Sequence, residues 1–430
     1  MASEDEIYRQ SSQFRLWSFS PAQLANLRTQ TNALAQASIA ERRRRREEEE
    51  EGEEEDERGL KIKVEGGEDH QHHQHNNGDR GRSQSAAATG TGAAAADIAY
   101  LTPAEERLLL DFYTVELLRA AQFTEQPTDV QATAAVFLRR FYITHSLMTY
   151  PPAALFKTAL FFGAKAEGYY HKLAAFADKF PNTTAADIVA GEFLLCQGLR
   201  FAFDVKHPFR ALEGAIMELR RLQDASAAAG ASGTPGRTSA SEDSGSNNEL
   251  TEDRIAAAHR RARAILKFSS LVTDAYFHYT PAQIMLAALW LADRGLVERL
   301  LLQETFRRAT NGGGAETTPA CAALLAAEPP ERFTAYWGQP ESNNLIKPLL
   351  RKLKTCRDPD RWDLVALQQA KKAGPVKTYA AAGVGAEAEA DGAVFGTKTS
   401  TSTGTGTPDS AHEAKRRRVL DDPFGPPLRG

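Results

Sequence analysis

Apolar residues recur at helical spacing through the middle of the chain, with helix-breaking residues between the runs. The clearest stripe begins after Pro127, where Thr128 and Asp129 offer an N-cap, and consists of Val130, Ala134, Phe137 and Phe141. An earlier stripe consists of Leu108, Phe112 and Val115. These spacings predict consecutive α-helices over residues 101–203, each of which buries one face.

The segment 153–164 differs from these helices because it is apolar on nearly all sides. Such a helix is surrounded by other helices, so we expect it to be the centre of its domain. A further helix is predicted from Thr184 to Gly198, where the glycine is a stop signal. The alternation of Leu199, Phe201 and Phe203 that follows fits a strand, but a single strand without a pairing partner is unstable. The sequence therefore predicts an all-α fold.

Part of the pattern occurs twice. Residues 152–163 align without gaps to residues 281–292, and both segments begin with Pro-Ala and continue as apolar helices. This match predicts two helical domains that are built on one plan. The alternative is a chance match between Ala/Leu-rich helices.

Three segments have compositions that cannot bury enough apolar surface to offset the entropy of the chain. The first contains five consecutive arginines, an acidic block and a His-rich tract, the second is rich in Ala, Ser and Gly, and the third ends the chain. The segments predicted to be disordered are 37–97, 225–249 and 374–430. The predicted ordered parts are an N-terminal helical region (1–36), a first repeat (98–204), a second repeat (205–357) and a C-terminal helix (358–373).

Charge and cysteine content exclude several classes of protein. A net charge of -4 gives no broad positive field, so direct sequence-specific binding to nucleic acid is not expected. The 3 cysteines are widely spaced, which fits neither a disulfide framework nor a zinc site. An acidic amino terminus and short apolar runs argue against export and against a membrane span.

The sequence contains no catalytic signature. It has no Walker-type Gly-Lys-Ser/Thr, no Asp-Phe-Gly and no His-Arg-Asp, which excludes a kinase. The histidines between His70 and His75 are of a type that binds transition metals, but a solvated polar tract is the favoured interpretation. We therefore expect no cofactor and no enzymatic activity.

Two charged residues suggest interaction chemistry instead. Lys165 follows the segment 153–164, at a helix end where the helix dipole favours a cation. Glu192 is predicted in the middle of the later helix among apolar residues, where a half-buried carboxylate needs a partner. The alternative is that both are ordinary exposed residues on helix surfaces.

Four motifs occur in an order that is typical of one family. They are the Ser-Ser-Gln start of 11–20, the Arg-Arg-Phe-Tyr of 139–142, the His-Pro-Phe-Arg of 207–210 followed by Leu-Glu-Gly, and 273–276 followed by 279–284. Through these motifs the chain resembles the transcriptional cyclins, and among them the cyclin H group. The resemblance implies an all-α fold of two tandem five-helix cyclin-box repeats, flanked by N- and C-terminal helices and long disordered low-complexity segments.

The resemblance also implies a docking surface for a kinase. Cyclins contact the kinase with a Lys at the end of the third helix and a Glu in the fifth, and the matching residues are Lys165 and Glu192. Glu167 is implied as a further contact. The family usually has a second acidic residue after the Lys, and Gly168 replaces it here.

The resemblance leaves the aromatic residues Phe14 and Trp17 with two alternatives. They either contact the kinase or pack against the repeats of this chain. A basic cluster in the tail has the form of a nuclear import signal and predicts a nuclear protein. Its residues are Lys415, Arg416, Arg417 and Arg418.

The implied function is that of a non-catalytic subunit that activates a cyclin-dependent kinase. That kinase phosphorylates other such kinases and the carboxyl-terminal tail of RNA polymerase II. An assembly-factor subunit and general transcription factor IIH are implied as further partners, and no membrane is. The alternatives are a transcriptional cyclin of the cyclin C type, a cyclin-fold transcription factor of the factor IIB type, and a helical scaffold without kinase contact.

Overall fold

The computed structural model describes residues 4–65, 98–231, 250–303, 314–333, 336 and 340–373, and the regular elements within them are all α-helices. The N-terminal region contains α1 (Glu4–Gln10), α2 (Ser12–Trp17) and α3 (Pro21–Glu65). The first repeat contains α4 (Pro103–Phe123), α5 (Thr128–Thr144), α6 (Pro152–Ala166), α7 (Leu173–Ala177), α8 (Ala185–Ala190) and α9 (Glu192–Gly198). The second contains α10 (Phe209–Ala231), α11 (Glu252–Lys267), α12 (Ser269–Val272), α13 (Ala275–His278), α14 (Pro281–Ala292), α15 (Arg294–Leu302) and α16 (Gly314–Ala326). The C-terminal helices are α17 (Pro340–Cys356) and α18 (Leu364–Ala373).

Both repeats follow a five-helix plan. In the first repeat, α8 and α9 form a fifth helix that is broken at Gly191. In the second repeat, the short α12 and α13 lie between the second and third main helices. The predicted all-α fold with two tandem repeats and flanking helices is therefore confirmed. None of the helices in the described parts of the chain is both long and apolar enough to cross a membrane.

α6 and α14 are the central helices of the two repeats. α4 and α5 pack against α6, whereas α11 and α16 pack against α14. Each central helix begins with a proline, Pro152 or Pro281, at a position where the missing N–H leaves no intrahelical hydrogen bond unmade. These are the two segments that align in the sequence. The internal repeat is therefore present in the fold.

Asp274, just before α13, binds arginines from the rest of the chain. Arg28 of α3 donates two hydrogen bonds to its carboxylate, at 2.8 and 2.7 Å, and Arg139 of α5 donates one at 2.9 Å. Arg107 of α4 lies 3.3 Å away. Arg139 is almost fully buried and also donates to Asp111 of α4 at 2.6 Å. This network joins the N-terminal helix and the two repeats.

The arginine run, which its composition assigned to a disordered segment, lies in α3 and holds the C-terminal region. Arg42 pairs with the buried carboxylate of Asp358. Arg43 donates to the carbonyl oxygens of Thr355, at 2.6 Å, and Arg357, at 2.8 Å. These carbonyls lie at the end of α17, where a helix leaves acceptors without intrahelical partners. A cation at this end also interacts favourably with the helix dipole.

The structure therefore differs from the predicted boundary at residue 37, because α3 continues to Glu65. Opposite charges one turn apart support this extension, with Arg44–Glu48 and Arg45–Glu49 separations of 3.5 Å. α10 likewise continues to Ala231, beyond the predicted boundary at residue 225. The remainders of the three segments predicted to be disordered, 66–97, 232–249 and 374–430, lie outside the described residues.

The two C-terminal helices brace the first repeat. α17 lies within the residues predicted as the second repeat, yet it packs against α4. Lys352 of α17 donates to both carboxylate oxygens of Glu105, at 2.9 and 2.7 Å. α18 packs against α8. The C-terminal region therefore packs against the first helix and the fifth helix of the first repeat.

Asp274→Asn should destabilise the protein strongly. Burial alone would raise the pKa of Asp274, but the hydrogen bonds from Arg28 and the charges of Arg139, Arg28 and Arg107 lower it well below its usual value. Removing the carboxylate charge leaves Arg139 and Arg28 with a deficit of negative charge in a buried site. We expect a loss of about 3–5 kcal/mol in the free energy of unfolding, measured by urea denaturation at pH 7.

The difference between wild type and Asp274→Asn should shrink as the pH falls below the usual pKa of 3.8, because the carboxylate stabilises the fold only while it is ionised. Asp293→Asn is the matched control. It removes a charge that faces Arg254 at 2.6 Å in a more exposed pair, and Asn retains the N-cap to Leu296. Equal losses in the two variants would contradict a special role for Asp274.

Candidate functional site

Lys165 and Glu192, which are 27 positions apart, meet at the surface of the first repeat. Lys165 lies in the last turn of α6, and its ammonium donates a hydrogen bond to the carboxylate of Glu192, the first residue of α9. The same ammonium lies 5.6 and 6.0 Å from the ring centres of Phe161 and Phe162. The Lys165 side chain is 38% exposed and that of Glu192 is 20% exposed. The pair is therefore accessible to a partner.

The joint between α8 and α9 brings Glu192 to this position. A Cβ atom at Gly191 would lie 2.9 Å from the hydroxyl of Thr158 and 3.1 Å from a methyl group of Leu155, both on α6. The absence of a side chain lets the joint lie directly on the central helix. The predicted continuous helix from Thr184 to Gly198 is therefore wrong. Glu192 opens a short helix instead of lying in the middle of a long one.

The carboxyl end of α6 is closed by a Schellman motif. The N–H of Gly168 bonds the carbonyl of Lys165 at 3.2 Å, and the N–H of Tyr169 bonds the carbonyl of Ala164 at 2.8 Å. Gly168 has a φ of 78°, in the left-handed region that favours glycine. This geometry is a physical reason for a glycine where the family usually has a second acidic residue.

Glu167 lies between the ion pair and this cap. Its backbone N–H bonds the carbonyl of Gly163 at 3.0 Å, so that it is the last residue to continue the hydrogen bonding of α6. Its carboxylate accepts a hydrogen bond from the buried hydroxyl of Thr133 at 2.5 Å. Glu167 is therefore near Lys165 along the chain but is held from the side of α5.

Exposed aromatic residues adjoin the ion pair in sequence. Tyr169 and Tyr170 follow the end of α6 and are 48% and 82% exposed, and Phe193 follows Glu192 and is 58% exposed. Large aromatic side chains beside a partly exposed ion pair are typical of protein-binding surfaces. Sequence reasoning missed these residues. The signal that was available is the stop at Gly168, which places the two tyrosines outside the helix.

The N-terminal aromatic residues are placed differently from one another. Trp17 is only 1% exposed, so the structure supports packing against this chain and not contact with a partner. The guanidinium groups of Arg140 and Arg200 lie 5.3 and 5.6 Å from the Trp17 ring centre. Phe14 is partly buried and meets Tyr8 edge-on, with 5.7 Å between ring centres. The basic cluster 415–418 lies outside the described residues.

The groups at this surface are charged, polar and aromatic side chains. No group of three or more His, Cys, Asp or Glu side chains that could hold a metal ion occurs in the part of the chain that the structure describes. Cys196, in α9, has a pKa raised to about 11 by burial and by the charge of Glu192, which leaves the thiol protonated and unreactive at neutral pH. What the site offers a partner is an ion pair, a further carboxylate and three aromatic rings.

Comparison with known proteins identifies relatives of the chain. Residues 207–358 match the family model described as the cyclin C-terminal domain. One chain in a solved structure of the CAK complex of Chaetomium thermophilum, bound to ATP-gamma-S, is 42% identical. The match covers 90% of this chain and 100% of that chain with a TM-score of 0.65.

Two curated relatives are more distant. Cyclin CCL1 of Saccharomyces cerevisiae is 29% identical over 299 residues, which are 70% of this chain and 61% of the relative. A putative cyclin-H of Dictyostelium discoideum is 30% identical over 122 residues, which are 28% of this chain and 41% of the relative. The chain thus spans about half of the length of these curated relatives.

The Schellman cap predicts opposite effects of one substitution at two glycines. Gly168→Ala should lower the free energy of unfolding by about 1 kcal/mol, because alanine is strained at a φ of 78°. Gly214→Ala, in the interior of α10 with open space around the new methyl group, should raise it by about 0.5–1 kcal/mol. Chemical denaturation of both variants measures this. A gain in stability from Gly168→Ala would contradict the assigned cap.

Proposed function

The chain belongs to the cyclin family, and we propose that it is a kinase-activating subunit of the cyclin H type. Cyclins are regulatory proteins, so the chain itself supplies no catalytic group. In this proposal it binds a cyclin-dependent kinase that phosphorylates other such kinases and the carboxyl-terminal tail of RNA polymerase II. The observation that carries the proposal is the meeting of Lys165 and Glu192 on the first repeat. The full-length match to a chain of a CAK complex supports it.

The geometry of the ion pair suits docking to a backbone. Lys165 supplies donors and Glu192 supplies acceptors, so together they satisfy carbonyl and N–H groups at the end of a kinase helix. Because the two residues hold each other in place before binding, little side-chain entropy is left to lose. In our proposal the kinase exchanges part of this internal pairing for bonds to itself.

The aromatic residues supply the apolar part of the proposed interface. Tyr170 and Phe193 are large side chains with few rotatable bonds, and burying them under a partner removes apolar surface from water. Docking would press the mobile αC helix of the kinase inward and complete its Glu ion pair with the β3 Lys, on which phosphoryl transfer depends. The cyclin supplies shape and the kinase performs the chemistry.

We further propose that the chain works in the nucleus with an assembly-factor subunit and as part of general transcription factor IIH. The likeness to a chain of a CAK complex supports a multi-subunit assembly. The basic cluster 415–418 supports import into the nucleus. Fluorescence microscopy of the full chain with all four basic residues changed to alanine tests this localisation, and unchanged nuclear accumulation would contradict the role of the cluster.

The double variant Lys165→Ala and Glu192→Ala tests the docking surface. We expect the affinity for the partner kinase to fall by about tenfold or more, since charge-assisted bonds at the interface are lost. Kinase activity on a polymerase-tail peptide, measured after co-purification, should fall with it. Stability should change by only about 1 kcal/mol or less, because the pair is partly exposed.

The matched control is Glu218→Ala with Arg221→Ala, which removes an exposed ion pair of 2.6 Å on α10 in the second repeat. This control should leave kinase affinity unchanged. Full binding and activity in the Lys165 and Glu192 variant would contradict this docking site. Failure of the wild-type chain to bind the kinase would contradict the proposed function as a whole.

Phe193→Ala should weaken kinase binding by about 1–2 kcal/mol, because an aromatic side chain in the interface is truncated. Met217→Ala on α10, where the side chain is similarly exposed, should have no effect on binding. Titration calorimetry with the purified kinase measures both. Equal affinities of the Phe193 and Met217 variants would exclude the Phe193 side chain from the interface.

A further inference from the structure

A series of hydrogen bonds crosses the molecule from the second repeat to Glu167. The hydroxyl oxygen of Tyr276, on α13, lies 2.9 Å from Nδ1 of His207. Nε2 of His207 lies 2.8 Å from the hydroxyl oxygen of Thr133 on α5. That hydroxyl is 2.5 Å from a carboxylate oxygen of Glu167. We call these four residues the inter-repeat relay.

The Glu167 carboxylate and the Thr133 hydroxyl set the direction of two bonds in the inter-repeat relay, and the neutral form of His207 sets that of the third. The Glu167 carboxylate can only accept, so the Thr133 hydroxyl donates its single proton to it. Thr133 must then accept from the Nε2–H of His207. A neutral imidazole that is protonated at Nε2 has a free lone pair at Nδ1, which accepts from the Tyr276 hydroxyl.

The surroundings of His207 favour this neutral form. Burial, and secondly the charge of Arg140, lower the pKa of His207 to about 3. Tyr276 remains protonated, because burial raises the pKa of its phenol well above the usual value. All the donors and acceptors therefore keep the same arrangement across the physiological pH range. The inter-repeat relay is a fixed connection and not a proton switch.

The position of Glu167 indicates what this connection does, which is to order a side chain near the proposed docking site. Glu167 is the one acidic residue between Lys165 and Asp178. It lies two positions after Lys165, which is part of the proposed docking site. A glutamate side chain at the end of a helix has many rotamers, and ordering it costs affinity when a partner binds. The Thr133 hydroxyl removes that freedom in the unbound chain.

We propose that the inter-repeat relay is a positioning device, by which Tyr276, His207 and Thr133 set the Glu167 carboxylate for contact with the kinase. The proposal rests on the proposed function and adds that kinase affinity depends on the second repeat through residues that do not touch the kinase. Thr133 has no exposed surface, so any effect of Thr133 on binding must pass through its neighbours.

Thr133→Val removes the hydroxyl with little change in the shape of the side chain, whereas Thr133→Ser keeps the hydroxyl. We expect Thr133→Val to weaken binding of the purified partner kinase by about three- to tenfold, the range for one side chain that must be ordered on binding. Thr133→Ser should bind within about twofold of wild type, the usual reproducibility of such titrations and well below one tenfold step. Tyr276→Phe, which keeps the ring in the core, tests the far end of the relay and should weaken binding in the same direction.

A double-mutant cycle separates positioning from a general structural effect. In the Glu167→Ala background, Thr133→Val should have no further effect on kinase affinity, because the group that it positions is gone. A merely structural role would weaken binding equally in both backgrounds. Equal losses in the two backgrounds, or equal affinities of wild type and Thr133→Val, would overturn the proposal.

Nitrogen NMR of the His207 ring gives a readout that needs no kinase. The wild-type chain should show the neutral tautomer with its proton on Nε2, and Thr133→Val should shift the Nε2 resonance. A proton on Nδ1 would overturn the inter-repeat relay. If the relay is seen and Glu167→Ala binds as wild type while the Lys165 and Glu192 double variant does not, the positioning proposal fails and the proposed function stands. If the double variant binds normally, the proposed docking site fails, and if the wild-type chain does not bind the kinase, the proposed function fails.

Discussion

The carboxylate of Asp274 is the contact on which the arrangement of the two repeats depends. It stands at a junction in the second repeat and is bound by arginines of α3 and α5. Taking such charges out of water is costly, and the cost is offset only when every charge meets an opposite one in good geometry. Relative movement of α3, α5 or α13 would separate a guanidinium from this carboxylate. The repeats are therefore held in one relative position by an electrostatic requirement and not by apolar packing alone.

The proposed docking surface is held in place by the packing of these helices. α6 is packed by its neighbours on nearly every side, so its last turn, with Lys165, has little freedom. Gly191 lets the fifth helix lie on α6, and α18 supports that helix from behind through α8. Glu192 and Lys165 are thus positioned by backbone contacts that are themselves buried. A binding surface on rigid helices loses less entropy when a partner docks than one on loops does.

The sequence predicted the features that depend on local periodicity. The helices that contain Phe137 and Leu160 are where the apolar spacing indicates them, and the two aligned prolines mark the two central helices. Lys165 and Glu192 were identified through family motifs, because spacing along the chain says nothing about contact between residues 27 positions apart. A strand over residues 199–203 is also rejected on the sequence alone, and the structure contains no strand at these described residues.

What the sequence did not predict depends on tertiary contacts. The arginine run has the composition of a disordered segment, and it is helical where α17 offers carbonyl oxygens and Asp358 offers a carboxylate. The sequence does not distinguish Gly191 from an ordinary helix residue. Its role depends on the fold, in which a Cβ atom at Gly191 would lie 2.9 Å from the hydroxyl oxygen of Thr158. Trp17 could not be assigned to the core or to an interface, since an aromatic residue suits both.

The pairing of Lys165 with Glu192 within one surface also affects how a partner arrives. Two opposite charges in contact form a dipole, and its field fades within a few ångströms and is screened further by salt over about 8 Å. This part of the surface therefore does little to attract a kinase from a distance or to draw in other charged proteins. In the proposed function, discrimination comes after encounter, when the ion pair opens for a partner whose groups bind both side chains. In the proposed complex, the chemistry of this site therefore affects the residence time more than the rate of formation.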